Sequence, residues 1–533
     1  MGSPAPDPSG VRVSDVAQRS GVSLCARLGT DRLAALVACS PGAPLREVVS
    51  PADGAEVGRV PICTPDDVRA AVDRARAAQV GWAATPVRRR AAVVRRFGGL
   101  VLAEQERLID LASAEAGKTR RDAFEETADV VLATRWLASA GRRALRDRRV
   151  GGYMPLATRT TVRRRPKGLV GVISPWNYPL TLAVSDVLPA LLAGNAALLK
   201  PDSQTPFSAL ALVELLHRAG LPRDVVQVVT GPGAELGDAI VDGVDALMFT
   251  GSTATARTLA ERCGRRLISF SAELGGKNAL IVLPGADRLA TVEGAVRACF
   301  ASSGQLCVGT ERVYVADAVY DEFVAAFVAR VGALRYGTGW DADVGPLSSA
   351  DQLERVTAQV RDAVDKGATV LTGGHARPDI GPLVHEPTVL ADVTDDMTLA
   401  RKETFGPVVA VYRFATPDDA VAAAEDSPYG LNASVWGPAA DARRLAARLG
   451  VGTVNVNDGY AAVWASHAAP LGGTRDSGIG RRHGREGLLT WTEPQTIAEQ
   501  RWLPSTYLRG VPADRYARLM TAALRIWRRV PAR

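Results

Sequence analysis

The stretch Gly168-Leu169-Val170-Gly171-Val172-Ile173-Ser174-Pro175-Trp176-Asn177-Tyr178-Pro179 decides the fold. Its first half is an unbroken apolar run of strand length, and two prolines then fix a rigid loop. The helix-like segment Thr181 to Ala193 follows. The unit then recurs: Ala196 to Lys200 before Pro206 to Ala219, Val225 to Val229 before Ala234 to Val241, and Ala246 to Phe249 before Thr253 to Cys263. Leu267 to Phe270 closes the series. Strands separated by helical segments predict a parallel sheet with crossover helices. Such sheets bind ligands at the carboxyl ends of their strands. Asn177 stands at one such end. Its amide could donate to a developing oxyanion, or it could be an ordinary turn asparagine.

Working outward, 533 residues exceed a single core, so two or more domains are expected. Upstream, Asp66 to Gln79, Pro86 to Leu111 and Thr127 to Ala140 read as amphipathic helices. Arg146 to Pro166 alternates like a projecting hairpin turning at Gly151-Gly152. Residues 1–45 are rich in Pro, Gly and Ala. They read as a loosely packed extension with one short helix near Asp31 to Cys39. Downstream, Ala279 to Leu283, Arg312 to Val315, Thr369 to Leu371, Pro407 to Tyr412, Ala433 to Trp436 and Gly452 to Val456 read as strands of a second α/β domain. The chemistry is then expected in the cleft between the two.

The net charge of +7 is spread along the chain, without the aromatic-interleaved basic stripe that nucleic acid would require. Lysine is confined to Lys118, Lys167, Lys200, Lys277, Lys366 and Lys402 against a heavy arginine bias. A lysine kept under that bias suggests a need for a compact ammonium. No CxxC or Cys/His cluster has zinc spacing, so no metal is expected. Six cysteines in a long chain suit a reducing compartment, and the N-terminus lacks a secretory pattern, so a cytoplasmic location is expected. The apolar stretch Leu169 to Leu199 carries too many prolines and polar residues to span a membrane.

Three further motifs carry chemistry. Phe249-Thr250-Gly251-Ser252-Thr253 leaves a strand and opens a helix, as an anion site or as an ordinary N-cap. The usual dinucleotide fingerprint is absent; Gly231-Pro232-Gly233-Ala234-Glu235-Leu236-Gly237 has one residue too many. Glu273-Leu274-Gly275-Gly276-Lys277 ends the fifth strand, where a partly buried carboxylate would have a raised pKa and could act as a base. A cap or a salt bridge is the alternative. Ser302-Ser303-Gly304-Gln305-Leu306-Cys307-Val308 offers a cysteine that is either a packed thiol or a nucleophile.

These stretches, with Lys200-Pro201, Glu403-Thr404-Phe405-Gly406-Pro407 and Ser477-Gly478-Ile479-Gly480-Arg481, stand in an order that resembles the aldehyde dehydrogenase superfamily from about Pro51 to Ile497. The resemblance implies two α/β domains, one of them a Rossmann-like cofactor domain, with a small oligomerisation hairpin. It implies a cofactor-binding domain at 46–144 and 164–273 with 476–490, and a catalytic domain at 274–475. The oligomerisation element would be 145–163 and 491–500. An extension at 1–45 and a tail at 501–533 flank them.

The same resemblance implies Cys307 as nucleophile, Asn177 and the Cys307 N–H as oxyanion donors, and Glu273 as the base that activates water. It implies a dinucleotide site of Ser174, Trp176, Lys200, Ser203, Gly233, Gly251, Ser252, Glu403 and Phe405. A homodimer or homotetramer acting on a small aldehyde is expected. A free thiol is only a few per cent ionised at neutral pH, so its surroundings are expected to activate it. Cys299 and Cys263 read as core.

The sequence also departs from the family. Many NAD-preferring members carry a glutamate where Ser203 stands. A serine can donate to a 2′-phosphate that a carboxylate would repel, which favours NADP with NAD as the alternative. Gln204 to Ser208, with Ser203, resembles the succinate-semialdehyde dehydrogenase branch. Yet the arginines expected to grip that substrate's carboxylate are replaced by Ser185 and Ala301. A buried carboxylate without a cation is costly, which argues for uncharged aliphatic or aromatic aldehydes. A coenzyme A-acylating enzyme is disfavoured by Glu273, and a catalytically silent binding protein by the intact Cys307, Glu273 and Asn177.

In the tail, Tyr516, Leu519, Met520, Ala523, Leu524, Ile526 and Trp527 fall on one helical arc, with most arginines outside it. This predicts an amphipathic helix. Docking on the protein's own surface is favoured over contact with an anionic membrane.

Overall fold

The structure is a computed structural model, and it describes residues 24–152, 157–501 and 508–529. Leu169–Ile173, Ala196–Lys200, Val226–Val228, Ala246–Thr250 and Ser269–Glu273 form a parallel sheet. In space the order is Ser269–Glu273, Ala246–Thr250, Leu169–Ile173, Ala196–Lys200, Val226–Val228. The order reverses beside Leu169–Ile173, so the loop bearing Asn177 leaves the sheet where its crossovers diverge to opposite faces. The short strand Gly478–Ile479 returns from far downstream and pairs antiparallel with Ser269–Glu273, with Gly478 opposite Glu273.

The fifth strand starts at Ser269, two residues later than its apolar pattern predicts. Leu267 is 93% exposed and takes a left-handed conformation (φ 55°) that ends the helix Thr253–Arg266. The helix predicted over 86–111 is broken at Glu104 into Val87–Ala103 and Gln105–Ala116. Pro65–Ala84 begins with a capping box: Thr64 accepts from the Asp67 N–H, and Asp67 accepts from the Thr64 N–H.

The N-terminal segment corrects the expectation of loose packing. Leu24–Leu28 and Thr30–Ala34 are helices, with Leu28, Thr30 and Leu33 buried in the same core as the five strands. Thr30 Oγ1 donates to the Val57 carbonyl at 3.0 Å, and Val37 bridges to Val228. Each fully buried leucine stabilises by about 2 kcal/mol. Two leucines five residues apart are too few to announce this in a Pro/Gly-rich context. The rest of the segment, 1–23, lies outside the described residues.

The second sheet has seven strands, in the order Thr369–Thr372, Thr388–Ala391, Val408–Phe414, Thr310–Ala316, Asn278–Val282, Asn432–Trp436, Thr453–Val456. Only the Thr369–Thr372 pairing is antiparallel. Thr388–Ala391 was not anticipated, because four residues after a proline give too short a pattern. Helices pack on both faces; Phe300, Phe323 and Phe327 stack beneath one of them. Cys299 and Cys263 are buried in the cores, as expected.

The hairpin Arg148–Val150 and Thr158–Pro166 is joined by Thr492–Gln500 into a three-stranded sheet. Residues 153–156, within its turn, lie outside the described residues. The tail forms the helix Ala513–Trp527, none of whose residues is buried. The favoured docking on the chain's own surface is therefore not seen among the described residues. No described helix is long and apolar enough to cross a membrane.

Candidate active site

A cleft of about 280 Å³ opens between the two sheets, and Asn177, Glu273 and Cys307 all line it. Cys307 follows the helix Arg288–Phe300 and a tight turn in which Ser302 and Ser303 adopt left-handed φ angles of 53° and 59°. Such residues each cost on the order of 1–3 kcal/mol, and persist only where surrounding contacts dictate the backbone. Those contacts are present. Ser303 Oγ donates to the Gly345 carbonyl at 2.8 Å, and Gln305 Oε1 accepts from the Ser348 N–H at 2.9 Å. Asn278 Nδ2 donates to the Cys307 and Gly309 carbonyls, both at 2.7 Å.

Asn177 is buried, and its Nδ2 donates to the Gln305 carbonyl at 2.9 Å. That bond ties the first domain's loop to the nucleophile's loop. The amide keeps a second N–H for an oxygen on the substrate. Asn177→Ala is expected to lower kcat by about 10²–10³-fold, the usual cost of one oxyanion donor. Steady-state assays with unchanged cofactor affinity check this.

Glu273 is buried at the end of its strand. Its Oε1 has no hydrogen-bond partner among the described residues. A Cβ on Gly472 would lie 2.7 Å from that oxygen, so only glycine leaves it room. Burial pushes the Glu273 carboxyl up to about 8, against the opposing pull of Arg482 and Arg481 and with help from Asp186. Arg482 is itself buried. Its Nε and Nη2 donate to Asp186 Oδ2 at 3.0 and 2.7 Å, and Nη2 donates to Thr250 Oγ1 at 2.9 Å. Thr250 is the cross-strand neighbour of Glu273, so this ion pair is anchored next to that carboxyl's strand position.

Burial also pushes the Cys307 thiol up to about 12, helped by Glu273 and Glu403 and only partly offset by Arg482. The expected activation by the surroundings is not met in this state. Desolvation and two carboxyls outweigh one arginine that Asp186 already neutralises.

Trp176 and Phe405 face each other edge-on at 5.5 Å in the same cleft. Glu403 Oε1 accepts from the Gly276 N–H at 2.7 Å, and burial raises its carboxyl to about 8. Glu311 fixes this loop from behind: its carboxylate accepts from the Thr404 and Phe405 N–H groups and from Lys277 Nζ. Gly251 and Ser252 line the cleft at the start of Thr253–Arg266; Ser252 Oγ accepts from the Thr255 N–H at 3.3 Å as an N-cap.

Ser174, Lys200, Ser203 and Gly233 do not line the cleft but form a group beside it. The Ser174 N–H donates to the Lys200 carbonyl at 3.1 Å, and Ser203 Oγ donates to the Gly231 carbonyl at 3.1 Å. Lys200 Cε lies against Gly233. Burial lowers the Lys200 ammonium, and the nearby Arg46 lowers it further.

Sequence reasoning missed Gln204, Gln352 and Arg355, which line the cleft. Gln352 Nε2 donates to the Phe405 carbonyl at 2.6 Å from the buried face of helix Ala350–Asp365, beside Val356 and Val360, where nothing in the sequence marks it. Two cations near the thiol are committed elsewhere. Arg297 pairs with Glu125, and Lys118 Nζ lies 3.0 Å from Glu126 Oε1 over the Tyr178 ring. Ser185 Oγ donates to Asp186 at 3.2 Å. The thiol itself packs with Tyr178, Leu182, Ala301, Leu306, Leu431 and Tyr460.

The model of the aldehyde dehydrogenase family matches residues 40–497. The chain belongs to the aldehyde dehydrogenase family. Its match begins at residue 40, inside the packed N-terminal segment, and ends before the tail. A relative from Mycolicibacterium smegmatis, named "Putative succinate-semialdehyde dehydrogenase (NADP+)", is 51% identical over 493 residues, covering 92% of this chain and 95% of the relative. The crystal structure of succinate-semialdehyde dehydrogenase from Burkholderia pseudomallei matches with a TM-score of 0.82 at 35% identity, over 86% of this chain and 95% of that one. Betaine aldehyde dehydrogenase from Staphylococcus aureus in complex with NAD+ matches with a TM-score of 0.83 at 28% identity, over 91% and 99%. This aldehyde dehydrogenase thus shares its family's architecture across both sheets and the cleft between them.

Proposed function

We propose that the chain oxidises an aldehyde to the free carboxylic acid through a covalent intermediate on Cys307. The observation that carries this is the convergence of Cys307, Asn177 and Glu273 on one cleft whose far wall is Trp176, Phe405 and Glu403. Cys307 Sγ bonds to the carbonyl carbon as the C=O π pair moves onto the oxygen and the thiol proton passes to solvent water in the cleft. The oxygen becomes an oxyanion held by Asn177 Nδ2 and the Cys307 N–H. The carbon then gives up its hydride as the C=O re-forms, leaving a thioester on Cys307; a nicotinamide dinucleotide held in the cleft would be the hydride acceptor. Glu273 then takes a proton from the water that attacks the thioester, and the acid leaves with the thiol restored.

The cleft fits that cofactor. A carboxyl near neutrality at Glu403 suits ribose hydroxyls, and two aromatic faces suit a ring. Beside them Lys200, Ser203 and Arg46 supply two cations and a hydroxyl, with Asp202 as the one carboxylate acting on Lys200 and Ser203 standing where a glutamate would repel a 2′-phosphate. This supports NADP+ over NAD+, in line with the cofactor in the name of the 51% identical relative.

The names of the relatives make succinate semialdehyde the first substrate to test. The side chains packed on the thiol instead favour an uncharged aliphatic or aromatic aldehyde, because they offer no uncommitted cation. An aldehyde panel run with both cofactors decides. We expect NADP+ to give the higher kcat/KM, and medium-chain or aromatic aldehydes to exceed succinate semialdehyde. The reverse order would restore the charged substrate.

All six cysteines are free, in keeping with a reducing, cytoplasmic setting. We read the exposed three-stranded sheet as the contact for a dimer or tetramer.

A further inference from the structure

The helix Ala513–Trp527 has no role in the chemistry above and lies beyond the segment that matches the family. At 15 residues it spans about 22 Å. At 100° per residue, Tyr516, Leu519, Met520, Ala523, Leu524 and Trp527 share one half of its circumference, together with Ile526. Arg515, Arg518 and Arg525 occupy the other half with a single acidic residue, Asp514, and Arg528 and Arg529 follow directly after the last turn. Five positive charges against one negative leave this segment at +4. On the apolar side Leu519, Leu524 and Ile526 are 65%, 52% and 71% exposed among the described residues.

We propose that this helix docks the enzyme on an anionic lipid surface, lying in the interface plane. Low overall hydrophobicity, a sharp division of faces and an arginine-rich polar side are the features of an interfacial helix. A spanning helix would need about 20 apolar residues, which the tail lacks. Charge complementarity selects the occupant. A second copy's helix, laid apolar face to apolar face, would leave both arginine-rich sides in solvent without a counter-charge, whereas anionic headgroups neutralise that side while the acyl region receives Leu519, Ile526 and Trp527. Electrostatic attraction and apolar insertion then act together, each too weak to anchor alone.

The test is co-sedimentation of the full chain with phosphatidylcholine vesicles containing one-third phosphatidylglycerol, and with pure phosphatidylcholine. We expect the anionic vesicles to pellet the enzyme, with the pelleted fraction falling about 10-fold on pure phosphatidylcholine or at high salt. The double variant Leu519→Glu/Ile526→Glu should lose pelleting to the same extent and keep full aldehyde oxidation. Equal, negligible pelleting of the wild type and the variant overturns the proposal, as does pelleting that the variant retains. A variant whose mass by light scattering falls, from a wild type that binds neither vesicle, would make the helix a contact between copies and also overturn it.

Discussion

Cys307→Ala is expected to abolish aldehyde-dependent reduction of the dinucleotide, by at least about 10⁴-fold, while leaving the fold and cofactor binding intact. No other thiol lines the cleft. Cys299, eight residues upstream, is buried in the core of the second sheet and cannot substitute. The loss is therefore of the bond-forming atom itself, with no neighbour to take over. The measurement is a steady-state assay with cofactor titration by fluorescence. A Cys307→Ala protein that still reduced NADP+ with aldehydes would remove the covalent mechanism. A protein that lost cofactor binding as well would show that the strained turn at Ser302-Ser303 depends on the thiol.

Glu273→Gln separates the two halves of the reaction. Steady-state turnover should fall by about 10²–10⁴-fold, the range for a general base. A burst of one reduced dinucleotide per active site should remain, because formation of the thioester does not need the hydrolytic water. The wild-type steady state should rise with pH through about 8, since burial holds the carboxyl protonated below that value. The glutamine variant should lack that rise. The sign for stability is opposite. Between the ordinary value of 4.5 and about 8 the folded chain binds the proton that the unfolded chain has released. The contribution of Glu273 to stability therefore declines as pH rises across that window. Stopped-flow burst amplitudes and denaturant titrations at several pH values check both statements. A variant with no burst would place Glu273 in the first half-reaction.

Much of this was legible in the chain because the decisive features are local. The apolar runs from Leu169 to Phe270 are strand-length and regularly spaced, so the parallel sheet follows from their period. Asn177, Glu273 and Cys307 each sit in a short motif, and the order of the motifs identifies the family. What stayed hidden depends on distant partners. Arg482 and Asp186 are 296 positions apart, and nothing in either neighbourhood announces that they pair next to the strand position of Glu273. Gln352 looks like any polar residue on an amphipathic helix until the Phe405 carbonyl meets it. The packing of Leu28 and Leu33 had the same origin: their partners are on other elements, and the local composition pointed the other way. The proton affinity of Cys307 was hidden for a related reason. Its motif names a nucleophile, whereas its proton affinity is set by Glu273, Glu403 and the depth of the cleft.

A thiol whose burial raises its proton affinity is expected to react slowly with oxidants. Peroxides and alkylating agents consume thiolates far faster than thiols. A cysteine held protonated at rest is a poor target for them, even though the cleft admits small molecules. The idle enzyme is therefore expected to lose activity to peroxide more slowly than a free thiol of ordinary pKa is oxidised, as residual activity after timed exposure would measure.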